Sequence, residues 1–127
     1  MKQALVVEDD DKVRKLVSRY LERLGLRVLE AASASAAVTL LKRMTPDLVC
    51  LDLILPESSG YEICEQMRAD ARLSSVPVLV ISGRSSPVDR AAAEEAGAND
   101  YIVKPLRWES FADSVARLVG PAEIQSS

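Results

Sequence analysis

No histidine occurs among the 127 residues, so neither a Ser-His nor a Cys-His nucleophilic pair can be assembled. Cysteine is scarce: only Cys50 and Cys64 are present. Two thiols without an imidazole cannot fill a tetrahedral zinc site. Both lie inside apolar segments rather than at turns, so they read as small buried hydrophobes and not as a disulfide. No apolar run approaches the roughly eighteen residues needed to cross a bilayer. The opening Met1-Lys2-Gln3 leads into only four apolar residues, Ala4 to Val7, before a run of acids, which is not a secretory leader. A basic excess is missing as well. Lys and Arg number 16 against 19 Asp and Glu, a net charge of −3, and duplex DNA needs a positive face. These absences predict a cytoplasmic chain with no membrane contact and no direct nucleic-acid contact.

What is present fits one domain. Apolar residues make up 48% and charged residues 28%, enough to bury a core without staples. Apolar runs of strand length fall at residues 3–8, 27–31, 47–52, 76–82 and 100–104. Several are continuously apolar, such as Leu48-Val49-Cys50-Leu51 and Val78-Leu79-Val80-Ile81, as strands covered on both faces must be. Between them come helical stripes. Val13, Leu16, Val17, Tyr20, Leu21 and Leu24 repeat at three- and four-residue steps and stop at Gly25. A second helix is predicted over 35–44, ending before Pro46, and a third from Gly60. The fourth, over 87–96, opens with proline and ends at Gly97; the fifth buries Phe111, Val115, Leu118 and Val119. Five βα units predict an α/β fold, a doubly wound five-stranded parallel sheet of order 2-1-3-4-5 flanked by five helices (flavodoxin-like). The domain is expected to span 1–119, with 120–127 a polar tail or the start of a linker.

The polar residues gather at the carboxyl ends of these strands: Glu8-Asp9, Asp52, Ser82-Gly83 and Lys104-Pro105. Ligands of open parallel sheets bind there, where strand order reverses. Strands one and three are neighbours in this order, so Glu8, Asp9 and Asp52 should converge. Like charges so close resist joint ionisation. A hard divalent cation compensates, and Mg²⁺ suits a few carboxylates with waters left for substrate oxygens. Lys104 neutralises part of the remainder. Asp52 is then a nucleophile for a phosphoryl group, with Ser82 and Lys104 holding phosphoryl oxygens. Singly, each residue has a plainer reading: Glu8 to Asp11 as a helix N-terminus, Asp52 as a turn residue, Lys104 as a solvated edge charge. Their coincidence at one sheet edge favours the chemical reading.

The chain resembles the response-regulator receiver family of two-component signalling over essentially residues 3–119. The likeness rests on Leu5-Val6-Val7-Glu8-Asp9-Asp10, Pro46 through Asp52, the Pro56 to Gly60 turn, Val80-Ile81-Ser82-Gly83 and Ala96 through Pro105. The resemblance implies that Glu8 and Asp9 are the metal-binding acidic pair and Asp52 the phosphorylated residue. It makes Lys104 the family's lysine, Ser82 the hydroxyl that moves toward the phosphoryl group and Tyr101 the aromatic residue reporting that movement. It further implies a backbone-carbonyl metal ligand at Ile54, a cis Lys104-Pro105 peptide and a sensor histidine kinase or phosphotransfer protein as phosphodonor. A downstream protein target or fused output domain would read the signal, with the chain a monomer or a phosphorylation-dependent dimer. The fourth helix, fifth strand and fifth helix are expected to form the face that changes.

Departures from the family pattern are informative. Ile54 offers no polar side chain to orient a water, and slow self-dephosphorylation is expected from it. Leu106 stands where phenylalanine is common, so no dimer mode is transferred. Trp108 is expected to cover the sheet rather than meet a partner. Three rival functions remain. An aspartyl-nucleophile phosphatase needs an acid where Ile54 stands. A flavin module needs a phosphate loop where this chain has four acids. A degenerate, unphosphorylated interaction domain would lack an essential residue, and none is missing.

Overall fold

Strands β1 (Gln3–Val7), β3 (Leu48–Leu51) and β4 (Val78–Ser82) contain no exposed residue, which explains their nearly unbroken apolar sequence. They form the middle of a parallel sheet whose order is β2-β1-β3-β4-β5, with β2 (Arg27–Ala31) and β5 (Asp100–Val103) as edges. The computed structural model describes residues 1–120; 121–127, most of the expected tail, lie outside the described residues. Helices α1 (Asp11–Arg23), α2 (Ala34–Leu41), α3 (Gly60–Ala69), α4 (Pro87–Ala96) and α5 (Trp108–Val119) fill the connections.

Alternate strand residues face opposite ways, so two cores result. On one face Leu5, Val49, Leu51, Val78 and Val80 meet Ala37, Leu41, Ile63, Met67 and Ala93 from α2, α3 and α4. On the other, Ala4, Val6, Cys50, Leu79 and Ile81 meet Val17, Leu21, Phe111 and Val115 from α1 and α5. Both cysteines are buried and free. Phe111 is wholly buried, and truncating such a side chain costs about 3–5 kcal/mol. Trp108 packs edge-on to Tyr20, with ring centroids 5.2 Å apart, and carries the Arg23 guanidinium 4.1 Å above its own ring. Trp108 is half-buried against the core, with Arg23 covering one ring face.

Helix ends follow local chemistry. Asp10 caps α1 by accepting from the Lys12 and Val13 amides, and Gly25 follows the helix at φ 89°. Ser86 caps α4, whose proline lies in the first turn and whose C-cap Gly97 is left-handed at φ 115°. Two expected bounds move. The fourth strand starts at Val78 rather than 76, because Pro77 has no N–H to give a ladder. The second helix ends at Leu41 rather than 44. Beyond it the chain tightens to a three-residue step, Arg43 N–H to Leu40 O. The carbonyls of Leu41 and Met44 accept from the Arg72 guanidinium instead.

Arg68, at the end of α3, plays a larger role of the same kind. It donates to the carbonyls of Val76 at 2.8 Å and Gly97 at 2.7 Å, and to Asn99 Oδ1 at 2.8 Å. These bonds tie α3, β4 and the α4–β5 turn together at the amino-terminal end of the sheet.

Candidate functional site

Register brings the acids together. Val7 lies opposite Leu51, and the Asp52 amide donates to the Val7 carbonyl at 3.0 Å. Residues 8 and 52 therefore leave adjacent strands at the same height. Likewise Ser82 pairs with Val103, and the Lys104 amide donates to the Ser82 carbonyl at 2.8 Å. The Lys104–Pro105 peptide is cis.

Glu8 and Asp52 are buried, at 3% and 7% exposure, while Asp9 is open to solvent. Carboxylate oxygens of these three residues lie within 4.8 Å of one another. Lys104 Nζ spans two of them, 2.9 Å from Glu8 Oε1 and 3.2 Å from Asp52 Oδ2. The other Asp52 oxygen accepts from the Ile54 amide at 3.2 Å. Glu8 Oε2 accepts from the Asp10 amide at 3.1 Å. Burial pushes the Glu8 carboxyl up to about 7, with the Asp52 charge adding to it; the Lys104 bond and the Asp10 amide offset only part. For Lys104 burial acts downward, but its bonds and attraction to Glu8 and Asp52 prevail and raise it.

Glu8, Asp9, Asp52 and Lys104 thus meet as their sequence positions predict. Ile54 joins through its N–H, and its side chain projects into solvent. Ser82 is fully buried, and its hydroxyl accepts from the Arg84 amide at 3.2 Å. Tyr101 is buried with its hydroxyl donating to the Arg84 carbonyl at 2.8 Å. Both residues therefore hold the β4–α4 loop through Arg84, and their described bonds do not reach the carboxylates. Gly60 abuts the site from below. A methyl there would sit 2.4 Å from the Asp52 carbonyl oxygen, and its amide bonds the Leu53 carbonyl at 2.8 Å. One contributor escaped the sequence reading: Arg14 on α1 donates to the Glu8 carbonyl at 3.0 Å. At a polar position of a helical stripe it carries no periodic signal.

The donor set fits a hard cation. It offers oxygens only, from three carboxylates, one of them exposed and so leaving an open side for water. A soft or thiophilic ion finds nothing here.

An open doubly wound sheet with its polar cluster at the switch point defines the flavodoxin-like class. Within that class the chain belongs to the response regulator receiver domain family, whose model matches residues 4–116. Receiver domains are signalling modules of two-component systems. Transcriptional regulatory protein AfsQ1 of Streptomyces coelicolor is 37% identical over 127 residues, covering 100% of this chain and 55% of that protein. A putative response regulator from Chloroflexus aurantiacus superposes with a TM-score of 0.89 at 30% identity, over 93% of this chain and 97% of that one. The receiver domain of a sensor histidine kinase from Pseudomonas aeruginosa, with magnesium coordinated in its active-site cleft, is 28% identical. Its TM-score is 0.86, with 94% of this chain and 98% of that one covered. The chain spans about half the length of the curated relatives it matches. Because a relative is named a transcriptional regulator, the expected absence of nucleic-acid contact has no support beyond the acidity of this segment. Among the described residues no helix is long and apolar enough to cross a membrane.

Proposed function

We propose that the chain, as a receiver over residues 1–119, accepts a phosphoryl group on Asp52 from the phosphohistidine of a sensor histidine kinase or phosphotransfer protein. The observation that carries this reading is the single Lys104 ammonium shared between buried Glu8 and Asp52 beside exposed Asp9. Glu8, Asp9, Asp52 and the Ile54 backbone carbonyl would hold Mg²⁺, which supplies charge neutralisation and a ligand position for a phosphoryl oxygen. Asp52 Oδ attacks phosphorus, the P–N bond of the donor breaks, and the imidazole leaves with a proton. An acyl phosphate remains on Asp52. Lys104, freed from the carboxylate that has reacted, pairs with a phosphoryl oxygen.

Ser82 is the hydroxyl that would turn toward that group, giving up its acceptor bond from the Arg84 amide. Tyr101 holds the same residue's carbonyl, so the two side chains act on one loop. The face made by α4, β5 and α5 then changes shape and is read by a downstream protein or a fused output domain, in monomeric or dimeric form. The chain catalyses only its own phosphorylation and dephosphorylation, in the cytoplasm. Exposed Ile54 gives no polar group to align a hydrolytic water, which supports a long-lived phosphoryl state.

Intact-mass analysis after incubation with acetyl phosphate tests this. The expected result is one added phosphoryl group with Mg²⁺, none with chelator and none in Asp52→Asn. A wild-type chain that gains nothing, or an Asp52→Asn chain that gains as much, overturns it.

A further inference from the structure

The exposed acid of the cluster poses a positional problem. Glu8 is held by Lys104 and the Asp10 amide, and Asp52 by Lys104 and the Ile54 amide. Among the described residues no hydrogen bond holds the Asp9 carboxylate. The backbone therefore sets where its Cα–Cβ bond starts and points. The peptide plane entering Asp9 contains the Glu8 carbonyl, and that oxygen accepts from Arg14 Nη1 at 3.0 Å. On the other side of Asp9, Asp10 is fixed by its cap on α1, and its carbonyl accepts from the Arg14 amide at 2.9 Å. One residue therefore grips the chain before and after Asp9, with its side chain and its main chain.

Arg14 is itself immobilised. Its side chain is only 11% exposed, and the guanidinium divides its nitrogens among three partners. Nε donates to Glu30 Oε1 at 2.9 Å, Nη2 to Asp11 Oδ1, and Nη1 to the Glu8 carbonyl. Glu30 lies on β2, and it is further steadied by Lys15 at 3.2 Å. Two carboxylates outside the cluster thus absorb the arginine's charge. What it delivers to the β1–α1 loop is geometry, through a planar fork that lysine cannot reproduce.

We propose that Arg14, braced by Glu30, is a positioning residue that aims Asp9 into the cation site. This deepens the phosphoacceptor reading and rests on it. Losing a group that orients a metal ligand weakens metal binding by about tenfold or more. Arg14 touches neither the cation nor the phosphoryl group, so the defect should lie in Mg²⁺ affinity and not in chemistry once the site is filled.

The test titrates the full chain with MgCl₂, following amide chemical shifts of residues 8–10 and 52–54, in wild type, Arg14→Met and Glu30→Gln. Arg14→Met should weaken Mg²⁺ binding about tenfold. Its phosphorylation by acetyl phosphate should be slow at low Mg²⁺ and match wild type at saturation. Glu30→Gln keeps a side-chain oxygen to accept from Arg14 Nε, so the brace and the bond to the Glu8 carbonyl both survive and it should bind as wild type does. Arg14→Met leaves Glu30 with Lys15 alone; should that variant fail to fold, the double variant Arg14→Met/Glu30→Met leaves only exposed charges unpaired and should show the same weakening. Wild-type affinity in a folded variant lacking Arg14 overturns the inference, as does a loss in Glu30→Gln equal to that in Arg14→Met. A wild-type chain that binds no Mg²⁺ instead removes the phosphoacceptor reading beneath it.

Discussion

The two ends of the sheet treat buried polar groups in opposite ways. At the amino-terminal end Arg68 meets carbonyls of Val76 and Gly97 and the Asn99 amide oxygen, and Asn99 Oδ1 also accepts from the Val78 amide. Donors and acceptors there are matched, and the result is a fastening. At the carboxyl end three carboxylates gather around one ammonium, which pairs with only two of them, Glu8 and Asp52. That end is left with surplus negative charge, and the surplus is what a cation and a phosphoryl group can exploit. Stability and reactivity are drawn from the same kinds of bond, separated by the length of a strand.

The sharpest break of this contrast is Asp52→Asn, which should abolish phosphorylation completely while leaving a folded chain, as intact mass and circular dichroism would report. At the opposite end, Arg68→Ala should lower stability by about 2–4 kcal/mol, since several charge-assisted bonds go at once. Its phosphorylation at a temperature where it stays folded should match wild type. Urea unfolding and the acetyl phosphate assay together check both halves.

A third prediction concerns pH. Glu8 titrates near 7 in the folded chain against an ordinary 4.5, so the folded state holds this proton more tightly. Its contribution is fully present below about 4.5 and is lost as pH rises toward and through 7. The span amounts to about 3 kcal/mol. In EDTA, Glu8→Gln should therefore gain on wild type as pH climbs from 4.5 to 7, by urea midpoint. A constant gap between the two curves would contradict it. The smallest effect is kinetic: Ile54→Asn should shorten the phosphoryl lifetime several-fold. A wild-type half-life of seconds, unaltered in Ile54→Asn, would refute the role given to that side chain.

The sheet was legible because its middle strands are buried on both sides, and double burial leaves uninterrupted apolar runs. Helix α4 was legible to the residue, since Pro87 and Gly97 mark both ends by backbone preference alone. Glu8, Asp9, Asp52 and Lys104 could be placed together because parallel register converts strand ends into a common edge. What stayed hidden were side chains that bond distant backbone. Arg72 ends α2 early, Arg68 joins three elements, and Arg14 grips the loop before Asp9. Such bonds follow no period, and any exposed arginine looks the same in sequence. The bond of Tyr101 to the Arg84 carbonyl was hidden for the same reason, while Ser82 accepts from the Arg84 amide only two residues on.

Gly60 has a mechanical consequence. With no space for even one carbon between it and the Asp52 carbonyl, the first turn of α3 packs closely against the Asp52 peptide. Close-packed interiors are poorly compressible and transmit strain. On the phosphoacceptor reading, a rotation of the Asp52 peptide would press directly on the first turn of α3, and any side chain at position 60 would prise the two apart.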